Sequence, residues 1–111
     1  MDTLEKYQQI IEEILTEYIK IPYANRQLEI KLIIDRTATN YIVMTLGWQG
    51  EERVHGCIIH IEIIHGKIWI QCDGTEYGIA NELLAAGIPK DKIVLAFHPE
   101  DVRQYTNFAI A

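Results

Sequence analysis

The stretch from residue 54 to residue 73, VHGCIIHIEIIHGKIWIQCD, constrains the fold more than any other part of the sequence. His65-Gly66 predicts a two-residue turn at its centre, because glycine adopts positive φ without steric cost. The isoleucine-rich flanks predict two long antiparallel strands, since β-branched side chains suit a half-buried sheet. Pairing Ile64 with Lys67 creates one wholly apolar face, which comprises Ile59, Ile61, Ile63, Ile68, Ile70 and Cys72.

The opposite face of this hairpin carries polar, aromatic and apolar side chains together. A one-residue slip would pair apolar with polar side chains, so the predicted register is well specified. In that register the opposite face pairs Glu62 with Trp69, His60 with Gln71, and Ile58 with Asp73.

Two more alternating segments, residues 28–35 and 41–48, extend the hairpin into a four-stranded antiparallel meander. Pairing Trp48 with Arg53, and Leu32 with Met44, collects the apolar faces of all four strands on one side. That side is expected to hold Ile42, Met44, Leu46, Trp48, His55 and the free thiols of Cys57 and Cys72, beneath the first helix. The outer side is expected to carry Ile33, Tyr41, Val43, Val54 and Ile58 in addition to the mixed hairpin face.

Helical periodicity precedes and follows these strands. Residues 3–20 place apolar side chains three and four positions apart, and Pro22 ends that helix. Residues 76–86 predict a second helix, with Asp73 or Thr75 as its cap and Gly87 after its end. Residues 93–97 predict a short buried strand, and residues 98–105 a short helix. The chain is therefore predicted to be one α+β domain, residues 1–111: a four-stranded antiparallel meander with an N-terminal helix on one face, a C-terminal helix, and short strand and helix segments.

The composition of the chain argues against nucleic-acid binding, secretion and membrane insertion. The formal net charge is −6, from 16 acidic and 10 basic residues, and nucleic-acid affinity comes mostly from basic side chains that neutralise phosphates. Direct DNA binding is therefore not expected.

The sequence has no secretory signal and no apolar run long enough for a membrane span, so a cytoplasmic location is expected. In that compartment a disulfide bond is not expected.

The residues that could perform chemistry do not match an enzyme motif. The chain contains no serine, no metal-ligand spacing and no glycine-rich phosphate loop, so neither catalytic residues nor a metal or cofactor are predicted. His60 could act as a base oriented by Glu62 or Asp73, or these groups could simply cover a solvated sheet face. The apolar share of that face favours a third interpretation, contact with another protein molecule. The candidates for partner binding are Tyr41, Ile58, His60, Glu62, Trp69, Gln71, Asp73 and Arg103.

Three long segments carry a family resemblance: YQQIIEEILTEY, GWQGEERVHGCIIHIEI and the C-terminal stretch from residue 66, which begins GKIWIQCDGTEYGIANELL. They resemble the XisI family of element excision controlling factors, which occurs largely in cyanobacteria. Cys72 stands where that family usually has an arginine or a similar residue before DGTE. The resemblance covers nearly the whole chain.

This resemblance implies a regulatory role in programmed DNA rearrangement. In the family a separate recombinase performs the recombination, and a companion called XisH resembles restriction-type endonucleases. The family has no agreed catalytic residues. The resemblance therefore favours a non-enzymatic factor that acts through an XisH-like protein. The alternatives are an antitoxin-like inhibitor of that nuclease, a homodimer, and a small ligand-binding domain or enzyme using the outer sheet face.

Overall fold

One mixed β-sheet with its two longer helices on one side forms the protein, which we describe from a computed structural model covering residues 3–21 and 27–111. The sheet order is β1-β2-β3-β4-β5. None of the described helices is long and apolar enough to cross a membrane. Pro22, which was expected to end the first helix, lies outside the described residues. The elements are α1 (Thr3–Tyr18), β1 (Leu28–Ile34), β2 (Asn40–Gln49), β3 (Glu52–Ile64), β4 (Lys67–Asp73), α2 (Ile79–Ala85), a 3₁₀ turn (Lys90–Lys92), β5 (Ile93–Leu95) and α3 (Glu100–Arg103).

The first four strands form the predicted antiparallel meander. His65 and Gly66 both have positive φ, 48° and 77°, as the turn between two tightly joined strands requires. The turn between β2 and β3 has Gly50 at its first central position with φ of 63°, where only glycine is unstrained. The chemistry of these two turns confirms the strand order predicted from the sequence.

The fifth strand corrects the predicted fold. β5 pairs in parallel with β4, and Ile68 lies opposite Ile93. A parallel neighbour requires a crossover connection, and α2 provides it between β4 and β5. The predicted short buried strand therefore exists, but it joins the sheet, which has five strands and not four.

The core lies between the sheet and the two longer helices. α1 buries Tyr7, Ile11 and Leu15, in agreement with its predicted apolar stripe. α2 buries Ile79, Ala80 and Leu83. The sheet side of the core comprises Tyr41, Val43, Ile59, Ile61, Ile63, Ile68, Ile70 and Ile93, most of them with no solvent-accessible surface.

Two β-bulges change which side chains face this core. Between β2 and β3 the pairing moves from Met44 with Cys57 to Val43 with Ile59, which leaves Ile58 as an extra residue. Because side chains alternate along a strand, one extra residue transfers every residue beyond it to the opposite face. The predicted burial of alternate β2 residues is therefore wrong: those expected inside, Ile42, Met44, Leu46 and Trp48, lie on the outer side, and Tyr41 and Val43 are buried.

The second bulge places Asp73 where it can start α2. The pairing moves from Ile61 with Ile70 to His60 with Cys72, so that Asp73 lies opposite the buried Ile59. One carboxylate oxygen of Asp73 accepts the backbone N–H of Thr75 at 2.9 Å, and the other accepts that of Ile79 at 2.8 Å. Asp73 therefore bonds the first backbone N–H of α2, as a capping side chain does, although Gly78 is the N-cap residue and α2 begins at Ile79, three residues after the predicted start at 76.

A substitution at Gly47 tests the close approach of β2 to the chain preceding β1. Gly47 has φ of 142°, and a Cβ atom there would lie 2.0 Å from the carbonyl oxygen of Gln27. We expect Gly47→Ala to lower the free energy of unfolding by about 2 kcal/mol or more. Urea denaturation measures this change. Gly56→Ala is the matched control, because a Cβ at Gly56 meets nothing within 4 Å, and an equal loss in the control would contradict the account.

Candidate interaction surface

The sheet face opposite α1 and α2 is the candidate functional site, and we call it the outer face. Its members follow from the strand register, because paired residues project to the same side. The outer face comprises Glu29, Lys31 and Ile33 of β1, Ile42, Met44, Leu46 and Trp48 of β2, Arg53, His55, Cys57, His60 and Glu62 of β3, and Trp69 and Cys72 of β4.

An apolar row runs along the middle of the outer face. It consists of Ile42, Met44, Leu46 and Trp48, which occupy alternate positions of β2 and extend over about 20 Å of strand. Trp48 is 48% exposed, and Ile33 beside the row on β1 is 49% exposed. A continuous apolar surface on an open sheet is typical of a contact with another protein.

Charges of both signs border the apolar row. On β1, Glu29 pairs with Leu46 and Lys31 with Met44, so a carboxylate and an ammonium group flank the row on one side. On β3 the guanidinium of Arg53 lies 5.5 Å from the ring centroid of Trp48 and donates to the carbonyl oxygen of Gly47 at 3.3 Å. A mixed rim of this kind surrounds the apolar centre of many protein interfaces.

Hydrogen bonds fix His60 at one end of the row. Asn40 connects two groups: its Nδ2 donates to Asp35 Oδ2 at 3.2 Å, and its Oδ1 lies 3.1 Å from Nε2 of His60. This arrangement requires Nε2 of His60 to carry the proton. The backbone N–H groups of Asn40 and Thr39 donate to Asp35, and these bonds hold the pKa of Asp35 well below its usual range.

The C-terminal segment covers the β4 side of the outer face. The guanidinium of Arg103 lies 5.5 Å from the ring centroid of Trp69. Its nitrogen atoms also donate to the carbonyl oxygens of His98 at 3.0 Å, Ile110 at 3.2 Å and Ala96 at 3.5 Å. Arg103 therefore fastens the segment that follows β5 onto β4.

The structure separates the predicted partner-binding residues into three groups. His60, Glu62 and Trp69 lie on the outer face as predicted, and Gln71 reaches it from the bulge, where its Nε2 lies 3.5 Å from Glu62 Oε1. Arg103 packs on Trp69. The outward placement of the other three is wrong: Tyr41 is fully buried, Ile58 is a half-buried bulge residue that packs against the core, and Asp73 caps α2.

The apolar row itself was missed by the sequence analysis. Both alternate sets of β2 are apolar, and the larger set was expected in the core, although the helices pack on Tyr41, Val43 and the small Thr45. Gly56 is the sequence feature that could have predicted the bulge in β3, because a glycine inside a strand often marks a bulge. Gly56 lies two positions before the extra residue Ile58.

The two cysteines are also placed differently from the prediction. Both were expected in the core, but Cys57 is exposed and Cys72 is half-buried, with both thiols free. Cys57 pairs with Met44, and Cys72 with His60, so both belong to the outer face.

Among the described residues no group of three or more His, Cys, Asp or Glu side chains could hold a metal ion. A cavity of about 440 Å³ lies on the helical side, between the C-terminal half of α1 and the loop of residues 74–78. None of its lining residues belongs to the outer face. This cavity is therefore separate from the outer face.

Comparison with known proteins identifies the family to which the chain belongs. The family model described as XisI protein matches residues 1–110. The chain belongs to the XisI family. Among solved structures, an XisI-like protein from Anabaena variabilis ATCC 29413 is 38% identical with a TM-score of 0.90, over 97% of this chain and 99% of that one.

A second solved XisI-family structure carries a functional name. It is the fdxN element excision controlling factor XisI from Anabaena variabilis ATCC 29413, which is 39% identical with a TM-score of 0.86. The match covers 99% of this chain and all of that one. No curated protein matches the sequence. The predicted XisI resemblance is confirmed.

Alkaline titration tests the burial of Tyr41. Burial, together with the nearby negative charges of Glu12 and Asp35, raises the pKa of Tyr41 to about 12, and its hydroxyl donates to the carbonyl oxygen of Ala38 at 2.8 Å. The unfolded chain releases this proton near pH 10, so the free energy of unfolding should fall by up to about 2 kcal/mol between pH 10 and pH 12.

Urea denaturation of the wild type and of Tyr41→Phe across this range measures the effect. The difference in the free energy of unfolding between the two proteins should be constant below pH 10 and should shrink above it, because phenylalanine has no proton to lose. A difference that does not change with pH would contradict the burial of Tyr41.

Proposed function

We propose that this protein is a non-enzymatic regulatory factor in the control of DNA element excision, and that it acts by binding an XisH-like, nuclease-related protein through the outer face. The observation that carries the proposal is the apolar row of β2 on the outer face, in which Ile42, Met44 and Leu46 are half-buried and Trp48 is 48% exposed. The excision role is taken from the structural relative whose match covers 99% of this chain, the fdxN element excision controlling factor XisI.

The charge of the chain supports a protein partner over DNA. Acidic residues outnumber basic ones by six, from 16 and 10, and the outer face carries both signs. A DNA-binding surface needs several basic groups that contact phosphates. Around the apolar row the basic side chains Lys31 and Arg53 alternate with the acidic Glu29, and this mixture suits the rim of a protein interface.

The polar groups of the outer face support a structural role more than a catalytic one. Nε2 of His60 is bonded to Asn40 Oδ1, and Gln71 Nε2 to Glu62 Oε1, so these contacts hold the side chains in fixed positions within the sheet. The nuclease-related partner would supply the chemistry, and this protein would control when that partner acts.

Substitution in the apolar row tests this proposal. The protein and the XisH-like protein of the same genome are purified separately and mixed at micromolar concentrations, and binding is measured by calorimetry. Trp48→Glu places a charge at the most exposed position of the apolar row, so we expect the dissociation constant to rise at least about tenfold, which corresponds to about 1.4 kcal/mol.

The matched control is Tyr77→Glu, since Tyr77 is an aromatic side chain with 64% exposure on the helical side. This variant should bind as the wild type does. An equal loss in both variants, or no complex with the wild type, contradicts the proposal.

Light scattering of the protein alone shows whether a second copy of the chain occupies the outer face. If the protein is a dimer and Trp48→Glu dissociates it, the outer face binds a second copy of the chain and not the nuclease-related protein.

A further inference from the structure

Cys57 and Cys72 come together on the outer face because of the two bulges. Cys57 lies just before the extra residue of β3, and Cys72 lies just after the extra residue of β4. In a regular hairpin Cys72 would lie opposite Ile59, on the core side. In the structure Cys72 Sγ is 3.5 Å from the carbonyl oxygen of Ile58 and 3.7 Å from that of Cys57.

The two side chains also influence each other directly. Desolvation raises the pKa of the Cys57 thiol, and Cys72 raises it further by charge repulsion and by a side-chain hydrogen bond. The Cys57 sulfur itself lies 3.3 Å from the carbonyl oxygen of Ile59. The thiols are therefore adjacent and on a face that oxidants can reach, since Cys57 is exposed.

We propose that Cys57 and Cys72 form an oxidisable thiol pair, which a hydroperoxide converts into an intramolecular disulfide between β3 and β4. The Cys57 thiolate attacks one oxygen of hydrogen peroxide and the O–O bond breaks, which gives a sulfenic acid and a hydroxide ion; the hydroxide takes up the proton that the thiol released and becomes water. The Cys72 thiolate then attacks the sulfenic sulfur, the S–S bond forms, and a second molecule of water leaves. Two thiols lose two electrons and two protons, and hydrogen peroxide accepts them.

The position of the pair makes this site distinct from a structural disulfide. A free thiol pair that oxidises reversibly is typical of redox-responsive sites in reducing compartments. Both sulfur atoms belong to the same face as His60, and Cys72 is the direct cross-strand neighbour of that histidine. The proposed bond would therefore form on the outer face itself and would replace the hydrogen bonds from Cys72 to the β3 backbone.

Mass spectrometry of the full-length protein tests the proposal. The reduced protein is treated with hydrogen peroxide, alkylated without reduction and digested. We expect a monomer that has lost two hydrogen atoms and yields a cross-linked peptide joining Cys57 to Cys72. The rate should rise by about tenfold for each unit of pH between neutral pH and the thiol pKa, because the thiolate is the reacting form.

Two single substitutions provide the controls. Cys72→Ser leaves Cys57 able to form a sulfenic acid but unable to close the bond, so dimedone should label Cys57 in this variant and not in the wild type. Cys57→Ser should react more slowly than either protein, because the remaining thiol is half-buried. Disulfide-linked dimers as the main product, or dimedone labelling of the wild type equal to that of Cys72→Ser, would overturn the proposal.

Phenylarsine oxide measures thiol proximity without any oxidation. Its arsenic atom binds two thiols at once and releases one molecule of water. The wild-type protein should form a stable one-to-one adduct that blocks alkylation of both cysteines, and neither serine variant should form it. Failure of the wild type to form this adduct would also overturn the proposal.

Discussion

Two single-residue bulges, at Ile58 in β3 and Gln71 in β4, determine which side of each strand is buried. Side chains alternate along a strand, so one inserted residue exchanges the inner and outer sets of the residues beyond it. The bulge at Ile58 directs the larger apolar residues of β2 away from the helices. The bulge at Gln71 directs Asp73 inward, where it starts α2, and brings Cys72 to the same face as Cys57.

The sequence was sufficient to predict the elements that depend only on local backbone preferences or on the periodicity of apolar residues. The His65-Gly66 turn, the isoleucines that flank it and the apolar stripe of α1 all follow from φ preferences and periodicity, and the structure agrees. The candidate surface was predicted in part. His60 and Glu62 follow the bulge at Ile58, where the predicted inner and outer faces of β3 are correct, and Trp69 lies opposite Glu62 on β4.

The remaining errors come from interactions between distant parts of the chain. A bulge leaves only a weak trace in the sequence, here Gly56, and periodicity cannot choose between two apolar sides of β2. The parallel pairing of β5 depends on the path of α2 through space. The contact between Arg103 and Trp69 joins residues that are far apart in sequence, so no local pattern predicts it.

The outer face divides into a covered half and an open half. Arg103 holds the C-terminal segment against β4 by one ring contact and three backbone carbonyls, and this arrangement shields Trp69. The apolar row of β2 lies outside that cover. A partner would therefore meet a rigid, preformed surface, since the sheet beneath it is fixed by the helices on its other side.

The two borders of the sheet also differ. At β5 the backbone N–H of Ala109 donates to the carbonyl oxygen of Ile93 at 2.9 Å, and Ala109 forms a parallel bridge with Val94. β1 is the border strand on the other side in the part of the chain that the structure describes. Growth of a filament by strand addition needs two free borders on each molecule. With one border occupied by its own tail, this molecule can pair edge to edge once and then stop, which protects an isoleucine-rich sheet from polymerisation.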